Sequence, residues 1–275
     1  MVTAARRKIA EGREAEIFEY DGGSVLKVFR GERTTASLEH EAAAMNAVRA
    51  AGGPAPEARG VTREHGRPAL VIERLDGPDM LTLLGKRPWY AFAAGRILGE
   101  THAALHDVIA PPELPLQKER YRARIAALGA EAPEHAQLAG FVLRALEGTP
   151  QGDRICHGDY HPGNVLITGA GPRVIDWPNA TRGDPHADVA RTLLMFDIAS
   201  VPPGAPALVR RLEKLARRLI RSRYVAAYRR KRPLDDGLLA RWRVPVAAQR
   251  LGEGIEDETD TLLALLYTAM RDGAA

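Results

Sequence analysis

Within eight residues, HGDYHPGN (157–164), the chain gathers two imidazoles, a carboxylate and an amide, while Gly158, Pro162 and Gly163 hold the stretch out of helix and strand. Beyond it, NVLIT and PRVID form two apolar runs around Gly169-Ala170-Gly171, the pattern of a β-hairpin whose glycines suit positive φ. With Ala170 at the centre of the turn, Asn164 falls directly across from Asp176, and opposed side chains have Cβ atoms roughly 5 Å apart on one face. An amide oxygen and a carboxylate converging in this way suit a hard cation such as Mg²⁺, which takes one or two protein carboxylates and completes its shell with water and phosphate oxygens. Asp159, on the loop before Asn164, can face the same point. Taken singly, an Asn and an Asp at strand ends are equally well explained as Asx caps.

These groups must be positioned by the elements around them. SVLKVF (24–29) and PALVIERL (68–75) read as strands bounded by Gly or Pro, and TTASLEHEAAAMNAVRAAGG between them reads as a helix with a Thr or Ser N-cap and a Gly pair past its end. RLDGPDM (74–80) then marks a boundary between a strand-rich unit, residues 1–76, and a mainly helical unit, residues 77–275. Helical spacing of apolar residues runs from Pro88 to Ile109 and from Leu208 to Tyr228, where Leu208, Leu212, Leu215 and Leu219 share one face. RGDPHADVARTLL opens another helix, with Asp184 suited to N-cap, Pro185 to the first helical position and Asp188 to the positive helix end.

Composition narrows the class. The 275 residues are 45% hydrophobic and 27% charged, which excludes a disordered, collagen-like or coiled-coil chain. The one cysteine, Cys156, cannot form an internal disulfide and reads as a small buried residue. With no signal-peptide core and no apolar stretch of spanning length, a cytoplasmic protein without a membrane partner is expected. The formal charge of +4 is unevenly spread: Arg210 to Arg232 is basic and GEGIEDETD acidic.

The order His157-Gly158-Asp159, then Asn164, then Ile175-Asp176-Trp177 resembles the catalytic and metal loops of the aminoglycoside phosphotransferase and choline-kinase-like family, whose fold is similar to that of protein kinases. HGD stands where protein kinases have HRD, and IDW where they have DFG. The resemblance implies an α+β, bilobal protein-kinase-like fold with a small strand-rich N-lobe containing one helix and a larger helical C-lobe. It implies ATP or GTP with Mg²⁺ as cofactors and transfer of the γ-phosphoryl group to a hydroxyl of a small molecule.

Site roles follow from the same resemblance. Asp159 would accept or orient the hydroxyl proton, Asn164 and Asp176 would hold Mg²⁺, and Lys27 would meet the nucleotide phosphates. A lysine inside an apolar strand is costly to bury unpaired; Glu41 is the expected partner and Glu39 the alternative. Gly12, with Arg13 to Ala15, stands where the phosphate-covering loop lies, although a single glycine also suits a plain hairpin turn. Backbone groups near Glu73 and Leu75 would bind the base edge. His157 would brace the catalytic loop, Asp188 would hydrogen-bond it and Asp184 would have a structural role, while His161 and His186 read as surface or supporting groups.

Trp177-Pro178 replaces the Phe-Gly of protein kinases, and nothing after Pro178 resembles a peptide-docking region, so a small-molecule acceptor is expected over a polypeptide. Glu256, Asp257 and Asp260 are candidate substrate-binding acids for a polyamine, and equally the acidic first turn of a helix. A protein kinase is the second reading. A non-catalytic module holding nucleic acid or an acidic partner on the Arg210–Arg232 run is the third, though a solvated helix exterior accounts for that run and nucleic acid is not expected.

Overall fold

Strand-forming runs in the first part of the chain pair into one antiparallel sheet. The structure is a computed structural model and describes residues 6–12, 14–199 and 206–273. Strands β1 (Lys8–Glu11), β2 (Ala15–Tyr20) and β3 (Ser24–Phe29) are followed by helix α1 (Thr35–Ala50) and then β4 (Ala58–Glu64) and β5 (Arg67–Glu73). The sheet order is β1-β2-β3-β5-β4. β3 lies inside the sheet, and all six of its residues are buried, which is why its sequence reads as a continuous apolar run and not as an alternation. Leu26, Val28 and Ala69 pack in one cluster, whereas Phe29 and Leu70 join Leu38, Met45 and Val48 of α1 in the main core. Thr34 caps α1 by accepting from the Ser37 N–H. The Asn46 side chain both donates to the Ala58 carbonyl and accepts from its N–H at 2.9 Å, fixing α1 to β4.

The rest of the chain is helical, with two short strand pairs. In order come α2 (Met80–Lys86), α3 (Ala91–His106), α4 (Gln117–Glu131), α5 (Ala136–Glu147), β6 (Arg154–Cys156), β7 (Val165–Thr168), β8 (Gly171–Val174), β9 (Thr181–Gly183), α6 (Pro185–Ile198), α7 (Ala207–Lys231), α8 (Asp236–Leu251) and α9 (Glu256–Arg271). The main core continues from the sheet through Leu98, Tyr160, Trp177 and Tyr224, and a second core joins Ile125, Val142, Trp242, Val246 and Leu266. Among the described residues no helix is long and apolar enough to cross a membrane.

One element lies outside the sequence reading and one expectation needs correction. The β6–β9 pair, joining Arg154–Cys156 to Thr181–Gly183, flanks the loop 157–164, and its three-residue strands are too short to show an alternation. The leucine face of α7 packs only at its far end: Leu208, Leu212 and Leu215 are exposed, Leu219 packs partly buried against the main core, and the helix buries Ile220, Tyr224, Ala227 and Tyr228. Its basic residues lie around a solvated half-helix.

The segment joining the sheet to the helices is bound to the β7–β8 hairpin. The Ile167 N–H donates to the Pro78 carbonyl at 2.9 Å, and Asp79 bridges Leu166. A Cβ on Gly77 would lie 2.2 Å from the Ile167 carbonyl oxygen, so only glycine permits this approach. From the other strand, the Val174 N–H reaches back to the Pro54 carbonyl, beyond the end of α1, at 2.6 Å.

Candidate active site

The hairpin brings Asn164 and Asp176 to one cleft by a different route from that expected. Its register pairs Thr168 with Gly171 and Val165 with Val174, so the turn consists of Gly169-Ala170 and only Gly171 has a positive φ. Asn164 is therefore opposite Ile175, whose N–H it accepts at 2.9 Å, and not opposite Asp176. Alternation alone would send Asp176 to the other face. Asp176 instead takes φ 67°, a left-handed conformation tolerated by Asp at a cost of roughly 1–3 kcal/mol, and the chain turns its carboxylate toward the cleft. The next residue, Trp177, is fully buried, donates its indole N–H to the Val174 carbonyl at 2.9 Å and packs edge-on against His157.

The loop 157–164 is held from below. Gly158 has φ 76°, and a Cβ there would meet the Asn179 carbonyl at 2.4 Å. Asp188, fully buried on α6, accepts from the His157 N–H at 2.6 Å and the Gly158 N–H at 2.8 Å. The same carboxylate meets Nε2 of His102 at 3.1 Å and of His106 at 3.3 Å, while Nδ1 of each faces a tyrosine hydroxyl, Tyr224 and Tyr228 respectively. Hydroxyl donation to Nδ1 leaves the Nε2 proton for Asp188. Burial pushes both histidines below their ordinary range, His106 to about 4, so they are neutral donors. This His-His-Asp trio has metal-binding spacing, but its nitrogens are already engaged and it acts as a hydrogen-bonded strut. His157 bonds the Ile175 carbonyl through Nε2 at 3.0 Å and accepts from the Asp159 N–H at 3.2 Å, tying loop to hairpin. Asp184 caps α6 by accepting from the His186 N–H, and its carboxylate also meets the His186 ring.

Lys27 is enclosed on β3 with its Nζ 2.7 Å from Glu41 and 2.8 Å from Asp176. Burial pushes the ammonium down, but the two carboxylates outweigh it and the net shift is upward. Glu41 is thus the partner, and the exposed Glu39 is not. Burial likewise raises the Asp176 carboxyl, Lys27 outweighs it, and the net position is below the ordinary range. A cleft of about 910 Å³ joins these groups to Gly12, Glu73, Leu75, Asp159 and Asn164. Gly12 donates its N–H to the Ala15 carbonyl at 2.8 Å; Arg13 lies outside the described residues. The Glu73 N–H is spent on the Glu57 carbonyl, whereas Leu75 has no backbone partner among the described residues and lines the cleft.

A cation's fit can be judged from the donors themselves. Asn164 donates its Nδ2 to the Asp159 carbonyl at 2.9 Å, and its amide oxygen has no donor among the described residues. Lys27 occupies Asp176 Oδ1 and leaves Oδ2. Two hard oxygens, one ionised, suit Mg²⁺.

On the acceptor side, Asp159 Oδ1 meets Arg191 of α6 at 3.2 Å. Burial raises the Asp159 carboxyl, but His161 and then Arg191 more than reverse this, holding it well below the ordinary carboxylate range. Glu253 joins Arg191 at 2.8 Å to Arg250 at 2.7 Å, and Arg250 forks onto Glu258 at 2.6 Å. Glu256, Asp257 and Asp260, read equally as polyamine-binding acids or as the acidic first turn of a helix, are exposed and do not line the cleft; Glu256 and Asp257 lie in the first turn of α9. The helical period explains the correction: Glu258, Leu262 and Leu266 of α9 turn inward, which places the other three on the outer face. Arg191 and Arg250 were absent from the sequence-based site, whereas Glu253 belongs to the acidic segment GEGIEDETD; the one available signal for Arg191 was an arginine inside the apolar run of DVARTLL.

A sheet with one helix set over a helical body, with these groups between them, defines the kinase-like bilobal class. The chain belongs to the phosphotransferase enzyme family, whose model matches residues 6–234. Its fold is similar to that of a thermostable mutant of an aminoglycoside phosphotransferase, solved as a ternary complex with ADP and hygromycin B, at TM-score 0.67 and 16% identity over 99% of this chain and 95% of that one. It is also similar to a choline/ethanolamine kinase family protein from Mesorhizobium loti, at TM-score 0.63 and 17% identity over 98% and 88%. A third likeness is to a macrolide 2'-phosphotransferase from Brachybacterium faecium, at TM-score 0.55 and 20% identity over 94% and 91%. No curated relative matches the sequence significantly.

Proposed function

We propose that this protein transfers the γ-phosphoryl group of ATP or GTP to a hydroxyl of a small molecule. The observation that carries the reading is the convergence of Lys27, paired to Glu41, with Asp176, Asn164 and Asp159 in one cleft large enough for a nucleotide and an acceptor. The acceptor oxygen attacks the γ-phosphorus in line, a new P–O bond forms as the bond to the β-phosphate oxygen breaks, and the nucleoside diphosphate leaves. Asp159, ionised beside Arg191, receives the hydroxyl proton on Oδ2. Lys27 neutralises phosphate charge and is itself held by Glu41. Mg²⁺, when bound by Asn164 and Asp176, supplies further charge neutralisation at the phosphates.

The short path from the buried Trp177 to β9 at Thr181 leaves no room for an activation segment, which favours a small-molecule acceptor over a polypeptide. Exposure of the basic half of α7 agrees with a solvated surface. The test is nucleotide turnover with magnesium against a panel of hydroxyl compounds, with Asp159→Ala as control. Acceptor-dependent turnover that vanishes in the variant is expected. Nucleotide binding without turnover on any acceptor, or label passing only to polypeptide, would refute the proposal.

A further inference from the structure

Arg191 sits on the second turn of α6 with its side chain 1% exposed. A guanidinium is buried this fully only when partners meet it, and here they come from two directions. From α8 and the loop beyond it, Gln249 Oε1 accepts from Nη1 and Glu253 Oε1 lies 2.8 Å from Nη2. From the catalytic loop, Asp159 Oδ1 lies 3.2 Å from Nη2. Nε has no partner among the described residues, so the planar fork is oriented entirely through its two terminal nitrogens.

Asp159 has few other restraints on its side chain. Asn164 Nδ2 holds the main-chain carbonyl at 2.9 Å but stands 3.5 Å from Oδ2, and His161 Nε2 stands 3.6 Å from Oδ2. Among the described residues only Arg191 grips the carboxylate within good hydrogen-bond distance, and it grips Oδ1, from which Arg250 Nη1 stands off at 4.0 Å. Oδ2 is left facing Asn164 and His161, which line the cleft.

We infer that Arg191 is a positioning residue: by tying down Asp159 Oδ1 it presents Oδ2 to the acceptor hydroxyl in the proposed phosphoryl transfer, an inference that rests on the kinase reading above. Gln249 and Glu253 set the plane of the fork, and so the direction in which Asp159 points. A lysine keeps the charge but, as a point donor on a flexible stem, cannot reproduce the fork across all three partners.

Arg191→Lys and Gln249→Leu separate this role from mere support of the fold. In Arg191→Lys, kcat should fall roughly tenfold to a hundredfold, the scale of a misplacement of about 1 Å, while nucleotide Kd and nucleotide KM stay at wild-type values. Gln249→Leu, remote from the reacting atoms, should lower kcat in the same direction but by less, again with nucleotide affinity intact. Wild-type kcat in Arg191→Lys overturns the inference, as does a loss shared equally between kcat and nucleotide affinity. If Arg191→Lys does not fold, Gln249→Leu decides, and wild-type kcat there overturns it. A crystal structure of whichever variant folds gives a readout independent of activity: the Asp159 carboxylate should rotate away from its wild-type position, and an unmoved carboxylate refutes the anchoring. Absence of turnover in the wild type, with Asp159 displaced in the variant, would instead sink the kinase reading and leave the anchoring standing.

Discussion

Replacing Asp188 by alanine should destabilise the protein more than any change in the cleft itself. Its carboxylate takes two backbone donors, the His157 and Gly158 N–H groups, and two imidazole donors, all in a fully buried position. The imidazoles have tyrosine hydroxyls within reach, so the firm loss is the two backbone donors. At about 1–3 kcal/mol for each buried group left unsatisfied, and with the space of the lost carboxylate added, the cost is about 4 kcal/mol. A domain of this size holds roughly 5–15 kcal/mol, so the variant should fold but melt roughly 10 °C lower, at 2–4 °C per kcal/mol. Differential scanning calorimetry of wild type, Asp188→Ala and Asp188→Asn, with nucleotide absent, measures this directly. Asp188→Asn keeps an acceptor oxygen and should fall between the other two. A Tm for Asp188→Ala within about 2 °C of wild type would mean that the catalytic loop does not depend on this carboxylate, and the account of the strut would fail.

Stability should decline as pH falls from about 6.5 to about 4: the unfolded state protonates His106 in that window and the folded state does not, a loss of about 3 kcal/mol that His106→Leu should remove in urea titrations, leaving the slope from His102 and His157, which burial shifts the same way. The depressed Asp159, Asp176 and Asp188 act separately, since their contribution is complete above the ordinary carboxylate range and is lost only on further acidification. Lys27→Met strands Glu41 and Asp176 as unpaired carboxylates facing the phosphates, and kcat with nucleotide should fall on the order of 10²-fold or more in a steady-state assay. Asn164→Ala should raise the magnesium concentration needed for half-maximal activity, with nucleotide KM at saturating metal less affected. Gly158→Ala forces a Cβ against the Asn179 carbonyl at a positive φ and should lower Tm.

What could be read from the sequence was whatever depends on local chemistry. The α1 helix, the β3 and β5 strands, the N-cap at Asp184 and the grouping of Asp159, Asn164 and Asp176 each rest on residue type and near spacing. The hairpin register slipped by one because GAG offers more than one centre, and the choice between them was made by the Gly171 backbone and the left-handed Asp176, which no alternation pattern encodes. The long-range partners were hidden for a related reason. His102 and His106 share a spacing of four with Tyr224 and Tyr228, a matched pair of helical faces that a search for facing polar stripes could have found. Arg191 and Arg250 reach Asp159 from elements far along the chain, and only packing brings them there. The acids Glu256, Asp257 and Asp260 show the converse failure, since a cluster in sequence was divided by the helical period, and the inward member, Glu258, is neutralised by Arg250.

The attachment of the β7–β8 hairpin to both Pro54 and Pro78 bears on how the molecule can move. A connector free in solvent would let the sheet swing over the helical body without disturbing anything between them. Here the strand that leads into Asp176 is fastened to Pro54 on the sheet's side, and the strand that follows Asn164 is fastened to Pro78 in the segment between sheet and helices, so any such motion would pull on the hairpin. Under the proposed reaction, parting the two sides would therefore strain the strands that carry Asn164 and Asp176, so that release of the nucleotide and loosening of a cation held there would be linked.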